Sequence, residues 1–206
     1  LPYGAIAELL GAFIKTYRSL SGADRASLRE RLSLEFRGLG SILVRLAPSL
    51  SEIFESPDAP SLPEEKSESA RFHGVVSRFF LELARNRPAL MIAVDDLQWC
   101  DEGSLAVLLE TAEEIGSAPA QLVLAARNES PEGRDRLRSF REKASQTGTP
   151  CLDVVAGPLD GPDTARLVSK ILGVEPRDVE DLAAYVHARA GGNVFFSIGI
   201  LREMAE

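Results

Sequence analysis

Hydrophobic positions follow helical spacing through most of this chain, and three short stretches replace that spacing with continuous apolar runs. Ile6, Leu9, Leu10, Phe13, Ile14 and Tyr17 recur every three to four residues and predict an amphipathic helix across roughly residues 4 to 18. Leu28, Leu32 and Phe36 form a second stripe within an Arg/Glu-rich segment, and a short helix is expected from Ser41 to Leu46, ending near Pro48. From Glu55 to Glu68 the composition turns to Pro, Ser and acids, ESPDAPSLPEEKSE, which predicts a solvated loop. A long helix is then expected from about Ser69 to Asn86, with Phe72, Val75, Val76, Phe79, Phe80 and Leu83 on one side.

The continuous runs come next. Ala89 to Val94 suits a strand buried on both faces, as in a parallel sheet covered by helices. Gln121 to Ala126 reads as a second such strand, and Cys151 to Val155 as a third. Between the first two, Asp101 is a good N-cap for a helix carrying Leu105, Leu108, Leu109 and Ala112. Arg134 to Ser145 is expected to be a charged helix with little apolar surface. After Gly157-Pro158 the pattern is helical throughout. Asp160 to Leu172 has Pro162 in its first turn and Gly173 beyond its end, Val179 to Ala190 is closed by Gly191-Gly192, and a last helix begins near Val194. This order predicts an α/β fold, a parallel sheet with flanking helices and a C-terminal helical lobe. The expected division is an α/β domain over residues 1–156, with helices over 1–54 and a loop over 55–68, followed by a helical lobe over 157–206.

Composition narrows the class. At 206 residues the chain is one domain or one domain plus a small lobe, and 45% hydrophobic residues suffice for a substantial core. A net charge of −8 argues against a nucleic-acid-binding surface as the main function. Cys100 and Cys151 have no metal-ligand or disulfide spacing, so a reducing cytoplasm is the plain expectation. There is neither a signal-peptide pattern nor an apolar run of membrane-spanning length. The chain starts at Leu1-Pro2-Tyr3 without Met, and it is expected to be a piece of a longer protein.

Candidate chemistry concentrates where the first apolar run ends, at Asp95 and Asp96. Acids at the carboxyl end of a strand sit where open α/β sheets bind ligands. Mg²⁺ in phosphate sites takes one or two carboxylates plus substrate oxygens, which a strand-end acid can supply. The same pair also suits a plain turn, and the local sequence does not separate the two. Arg127 ends the next strand at the corresponding edge, where its guanidinium would either meet phosphate oxygens or pair with a nearby acid. Gly191-Gly192-Asn193-Val194-Phe195-Phe196 would bring backbone close to a ligand or, more simply, end one helix and staple the next. His73 and His187 read as packing or surface residues, Trp99 as a core anchor beneath the strand-end loop, and Cys100 as an unactivated thiol. Ser104 lacks a nucleophile elbow.

Taken in order, LPYGAIAELL, LAPSLSEIF, SARFHGVVSRFF, VDDLQWCDEGSL, LAARNES, GPLDGPDTARLV and GGNVFF resemble the AAA-like, STAND class of signal-transduction ATPases. This class occurs in bacterial multidomain kinase hybrids and ATPase-type transcription regulators. The resemblance implies a P-loop NTPase fold of the ASCE/AAA-like kind, with ATP and Mg²⁺ as cofactors and residues 157–206 as a lid. It would make Asp95 the metal ligand, Asp96 the acid that positions or activates water, and Arg127 a sensor of the γ-phosphate. Gly192-Asn193-Val194 would match an element near the adenine, with Val194 standing where the family has Pro. The chain contains no G-x-x-x-x-G-K-[ST] loop, which in the family lies upstream of Leu1 together with two strands. The implied function is a nucleotide-dependent switch, a slow ATPase in the intact protein and inactive as these residues alone. Its implied partners are signalling or output domains of the same polypeptide, with no membrane and no nucleic acid bound by this module. A degenerate scaffold that uses no nucleotide is the other reading. A regulator with a C-terminal DNA-binding domain would share the same module.

Overall fold

The computed structural model describes residues 2–54, 66–85, 89–127 and 129–205. The chain divides into two compact units, Leu1–Cys151 and Leu152–Glu206.

The first unit opens with three helices, α1 (Gly4–Ser19), α2 (Gly22–Glu35) and α3 (Gly40–Leu46), followed by a 3-10 turn at Pro48–Glu52. Ser21 starts α2 by accepting a hydrogen bond from the Asp24 N–H, which satisfies one of the free donors of the first turn. The long helix α4 (Lys66–Arg85) then lies against α5 (Glu102–Glu114). Phe79 of α4 sits at the centre of the core, fully buried, with the rings of Phe13, Phe36 and Phe54 at 5.4, 5.6 and 6.1 Å in edge-on contacts. Gly40 lets α3 approach this cluster, because a Cβ there would stand 2.8 Å from Phe54.

Strands β1 (Leu90–Val94) and β2 (Ala120–Leu124) pair in parallel, Leu90 opposite Ala120 through Val94 opposite Leu124, with α5 as the crossover. Helix α6 (Pro131–Gln146) follows, capped by Ser130 with Pro131 at its first position. Mostly helical with a small parallel sheet, the unit has the βαβ order expected of an α/β fold.

Three expectations change. β1 is buried on one face only: Ile92 and Val94 enter the core, while Met91 is 64% exposed and Val123 of β2 faces outward beside it. The helices therefore cover one side of the sheet, and the continuous apolar run did not reveal which side. Cys151 to Val155 forms no strand, and Leu152, Val154 and Val155 are exposed. Apolar β-branched residues favour a strand only where a neighbouring strand supplies the hydrogen-bond ladder, and none does so here among the described residues. Lys66 to Glu68 open α4 instead of ending the loop; the rest of that loop, residues 55–65, lies outside the described residues.

The second unit holds α7 (Gly161–Leu172), a 3-10 turn at Pro176–Val179, α8 (Glu180–Ala190) and α9 (Val194–Ala205) around Val168, Val186 and Leu201. Asp160 caps α7, and Gly173 ends it in the left-handed conformation at φ 70°. Among the described residues no helix is long and apolar enough to cross a membrane.

Candidate functional site

The loop after β1 collects the polar groups that the sequence singled out. Hydrogen bonding continues past the strands: the Ala125 N–H donates to the Val94 carbonyl and the Leu97 N–H to the Ala125 carbonyl, each at 2.9 Å. Two residues escape this ladder, Asp95 and Asp96. Asp96 takes the left-handed conformation at φ 52°, which Asp enters more readily than most residues, and so turns the chain into a single 3-10 turn at Leu97–Trp99. Asp95 Oδ1 accepts from the Asp96 N–H at 2.7 Å, leaving its side chain exposed at the carboxyl edge of the sheet.

Asp96 and Arg127 meet, as their positions on adjacent strand ends allow. Arg127 Nε donates to Asp96 Oδ1 at 3.3 Å, with the two side chains 70% and 45% exposed. An ion pair that open to water is worth at most about 1 kcal/mol, so it holds the two groups near each other without being needed for the fold. Sequence reasoning passed over Gln98. Its Nε2 donates to Asp96 Oδ1 at 2.6 Å, and its Oε1 accepts from the Arg127 N–H at 3.4 Å, so one amide spans both strand ends. Its place two residues after Asp96 was the available signal. Gly133 of α6 packs close by, where a Cβ would come within 3.2 Å of the Arg127 carbonyl.

The loop is anchored at its far end by Asp101, whose role is larger than the single cap its sequence position implied. Its carboxylate accepts from the Ser104 N–H at 3.0 Å and the Ser104 hydroxyl at 2.7 Å at the start of α5. It also accepts from the Tyr3 and Gly4 N–H groups, at 2.9 and 3.0 Å, at the start of α1. One carboxylate thus caps two helices, where the negative charge also meets two helix N-termini. Burial pushes the Asp101 carboxyl up, but the hydrogen bonds from Ser104, Tyr3 and Gly4 together outweigh it and hold the group below the usual range. Tyr3, itself left-handed at φ 61°, passes the connection to α4 through its hydroxyl, 3.0 Å from His73 Nε2. Burial holds His73 below its usual value.

Trp99 is not a core anchor: it is 82% exposed beside the acidic loop, because the 3-10 turn directs Leu97 inward instead. Cys100 is buried, and burial with the neighbouring Asp101 charge raises its thiol, consistent with an inert cysteine. His187 has a partner the sequence did not suggest, with Nδ1 2.9 Å from the Thr164 hydroxyl.

Gly192, Asn193 and Val194 belong to the second unit, where local packing accounts for the first two. Gly191 ends α8 at φ 58°, as its sequence implied. Gly192, at φ 77°, must be glycine, since a Cβ would fall 2.2 Å from the Leu159 carbonyl oxygen, and its own carbonyl accepts from the Leu159 N–H at 2.9 Å. Asn193 Oδ1 accepts from the Phe196 N–H at 3.2 Å and so caps α9. The expected hydrophobic staple is absent: Val194, Phe195 and Phe196 are 43%, 80% and 59% exposed.

The metal side of a nucleotide site needs one or two exposed carboxylates at a strand end, and Asp95 and Asp96 fit that need. Among the described residues no group of three or more His, Cys, Asp or Glu side chains forms a metal cage of its own, so substrate oxygens would have to complete the coordination.

Comparison with curated proteins and with solved structures returns no match. Residues 1–125, which run from α1 through β2 and include the acidic loop, match the family model described as AAA ATPase domain. The chain therefore belongs to the AAA ATPase domain family.

Proposed function

We propose that this chain is the ATP-binding module of a larger signal-transduction protein, in which nucleotide state is passed to attached signalling or output domains. The observation that carries this reading is the exposed group of Asp95, Asp96, Gln98 and Arg127 at the carboxyl ends of two parallel strands. Bound Mg²⁺·ATP supplies the phosphoryl group and the charge neutralisation on which its transfer to water depends. Asp95 offers a carboxylate oxygen to the metal. Asp96 holds the attacking water and takes its proton, kept in place by Gln98. Arg127 engages Asp96 through Nε, which leaves its terminal amino groups for γ-phosphate oxygens. The family resemblance would put Gly192, Asn193 and Val194 near the adenine and would make the helices of 157–206 a lid that reports nucleotide state.

These 206 residues contain no G-x-x-x-x-G-K-[ST] segment, so the phosphate cradle has to come from elsewhere in the polypeptide, and the chain alone is expected to hydrolyse no ATP. The test is ATP titration of the full-length protein with and without Mg²⁺. Wild type should bind Mg²⁺·ATP more tightly than free ATP, and Asp95→Asn should erase most of that difference. An unchanged Mg²⁺ dependence in Asp95→Asn would remove Asp95 from the metal site. The scaffold reading gains from the fact that Gly192 and Asn193 already have complete structural roles. It predicts no ATP binding at all.

A further inference from the structure

Asp96, Gln98 and Arg127 are joined at the surface by contacts open to water, and such contacts do little to fix the place of a carboxylate. Their geometry has to come from the backbone of the loop, which is held at three points. Beside β2, the Leu97 side chain is fully buried and its N–H donates to the Ala125 carbonyl. At the far end, Asp101 caps α1 and α5. Between the two acts Arg136 of α6, which the sequence shows only as one charge in a charged helix.

Arg136 Nη1 donates to the Cys100 carbonyl at 2.6 Å, and its Nη2 lies 3.3 Å from Glu102 Oε1. The Arg136 side chain is 30% exposed and that of Glu102 86%, so the carbonyl is the stronger partner and the carboxylate a solvated one. Cys100 closes the 3-10 turn, with its N–H bonded to the Leu97 carbonyl at 3.1 Å, and the Trp99 N–H bonds the Asp96 carbonyl at 2.8 Å. Holding the Cys100 carbonyl therefore holds the turn that carries Gln98 and starts at Asp96.

Helix α6 is a firm support for this contact. Leu137 and Phe140 pack against the core, and Ala144 is buried. One turn before Arg136, Gly133 brings the helix so close that a Cβ would stand 3.5 Å from Gln98 Oε1. Positions 133 and 136 share a helix face, so one face of α6 meets both Gln98 and Cys100.

We propose that Arg136 is a positioning residue of the site: by holding the Cys100 carbonyl it sets the 3-10 turn, and the turn keeps Gln98 and Asp96 aligned with Arg127. It touches neither nucleotide nor metal. The proposal rests on the nucleotide reading, in which Asp96 places the attacking water. Misplacing such a group by about 1 Å can cost about 100-fold in rate.

Arg136→Met, which keeps the length of the side chain and removes its donors, tests this in the full-length protein. Hydrogen exchange at residues 97–100 should quicken by about tenfold or more, with exchange in α1 and α4 unchanged. Well below the melting temperature, kcat for ATP should fall about tenfold or more while KM stays within about twofold. A merely structural role would lower the melting temperature without separating kcat from KM. Arg136→Lys, which keeps one donor to the carbonyl, should restore most of the kcat, and Glu102→Gln should leave both kcat and exchange as in wild type. In the Asp96→Asn background, Arg136→Met should cost little further turnover, because its effect passes through Asp96. If Arg136→Met melts early, Arg136→Gln carries the same expectations. Wild-type kcat in Arg136→Met beside lost turnover in Asp96→Asn would overturn the proposal alone. So would unchanged exchange at residues 97–100, or a full additional loss in the double variant. No turnover in wild type, or full turnover in Asp96→Asn, would overturn the nucleotide reading and this proposal with it.

Discussion

The loop after β1 and the turn between α8 and α9 both stand out in the sequence as candidate sites, and they end in opposite conditions. In the turn, Gly192 packs backbone to backbone against Leu159, and the Asn193 side chain caps α9. In the loop, Asp95, Asp96 and Arg127 keep exposed side chains tied by one open ion pair and a glutamine. The structural duty there falls on Asp101, which holds α1 and α5 together with hydrogen bonds from Tyr3, Gly4 and Ser104. Polar residues left at a sheet edge after the fold is satisfied are candidates for chemistry. Polar residues that complete a turn are first of all structural.

This contrast can be broken by substitution, most forcefully in the turn. Gly192→Ala places a Cβ against the Leu159 carbonyl oxygen at a positive φ. It should destabilise the second unit by about 3 kcal/mol, read by denaturant unfolding. A loss below about 0.5 kcal/mol would mean that the turn relaxes freely and its glycine is not structural.

Asp101→Ala comes next. Removing the shared cap leaves N–H groups of both α1 and α5 without their acceptor, and about 2 kcal/mol of stability should go with it. Asp101→Asn, which keeps an acceptor oxygen, should recover part of that loss in the same unfolding measurement.

A smaller effect is expected from pH at the contact between Tyr3 and His73. Burial lowers the His73 pKa below its usual 6.5, so the folded state binds fewer protons than the unfolded chain. The stability this contributes is fully present above pH 6.5 and is lost as pH falls from there through the folded value. Asp101, also lowered, adds a loss of the same sign that begins only below its usual 3.8. Melting temperature should therefore fall modestly between pH 7 and 5 in wild type, and His73→Gln should flatten the curve. Parallel curves for the two proteins would exclude His73 as the source.

Much of this architecture was legible from short-range pattern. Helical stripes placed α1, α4 and α5, and Asp101, Gly173 and Gly191 marked the start of α5 and the ends of α7 and α8, because caps act over three or four positions. The acids after β1 and Arg127 after β2 could be seen to share a sheet edge once two parallel strands were inferred. What depended on distant neighbours could not be read. The apolar run of β1 carries no sign that helices cover one face alone, and Cys151 to Val155 has strand-like residues without a strand to pair with. Trp99 looked like core because of its size, yet the 3-10 turn puts Leu97 in that place. The double cap of Asp101 joins residues far apart in the chain, so its sequence neighbourhood revealed only the nearer half.

The most direct test of the central claim is to measure ATP turnover and melting temperature together in the full-length protein carrying Asp96→Asn. The open ion pair to Arg127 and the amide of Gln98 contribute little to the fold, so melting should stay within the range of surface substitutions. Turnover should fall by about 100-fold or more, because the side chain proposed to position water and take its proton would lose its charge. Wild-type turnover in Asp96→Asn, or loss of turnover only in step with a lowered melting temperature, would contradict the account.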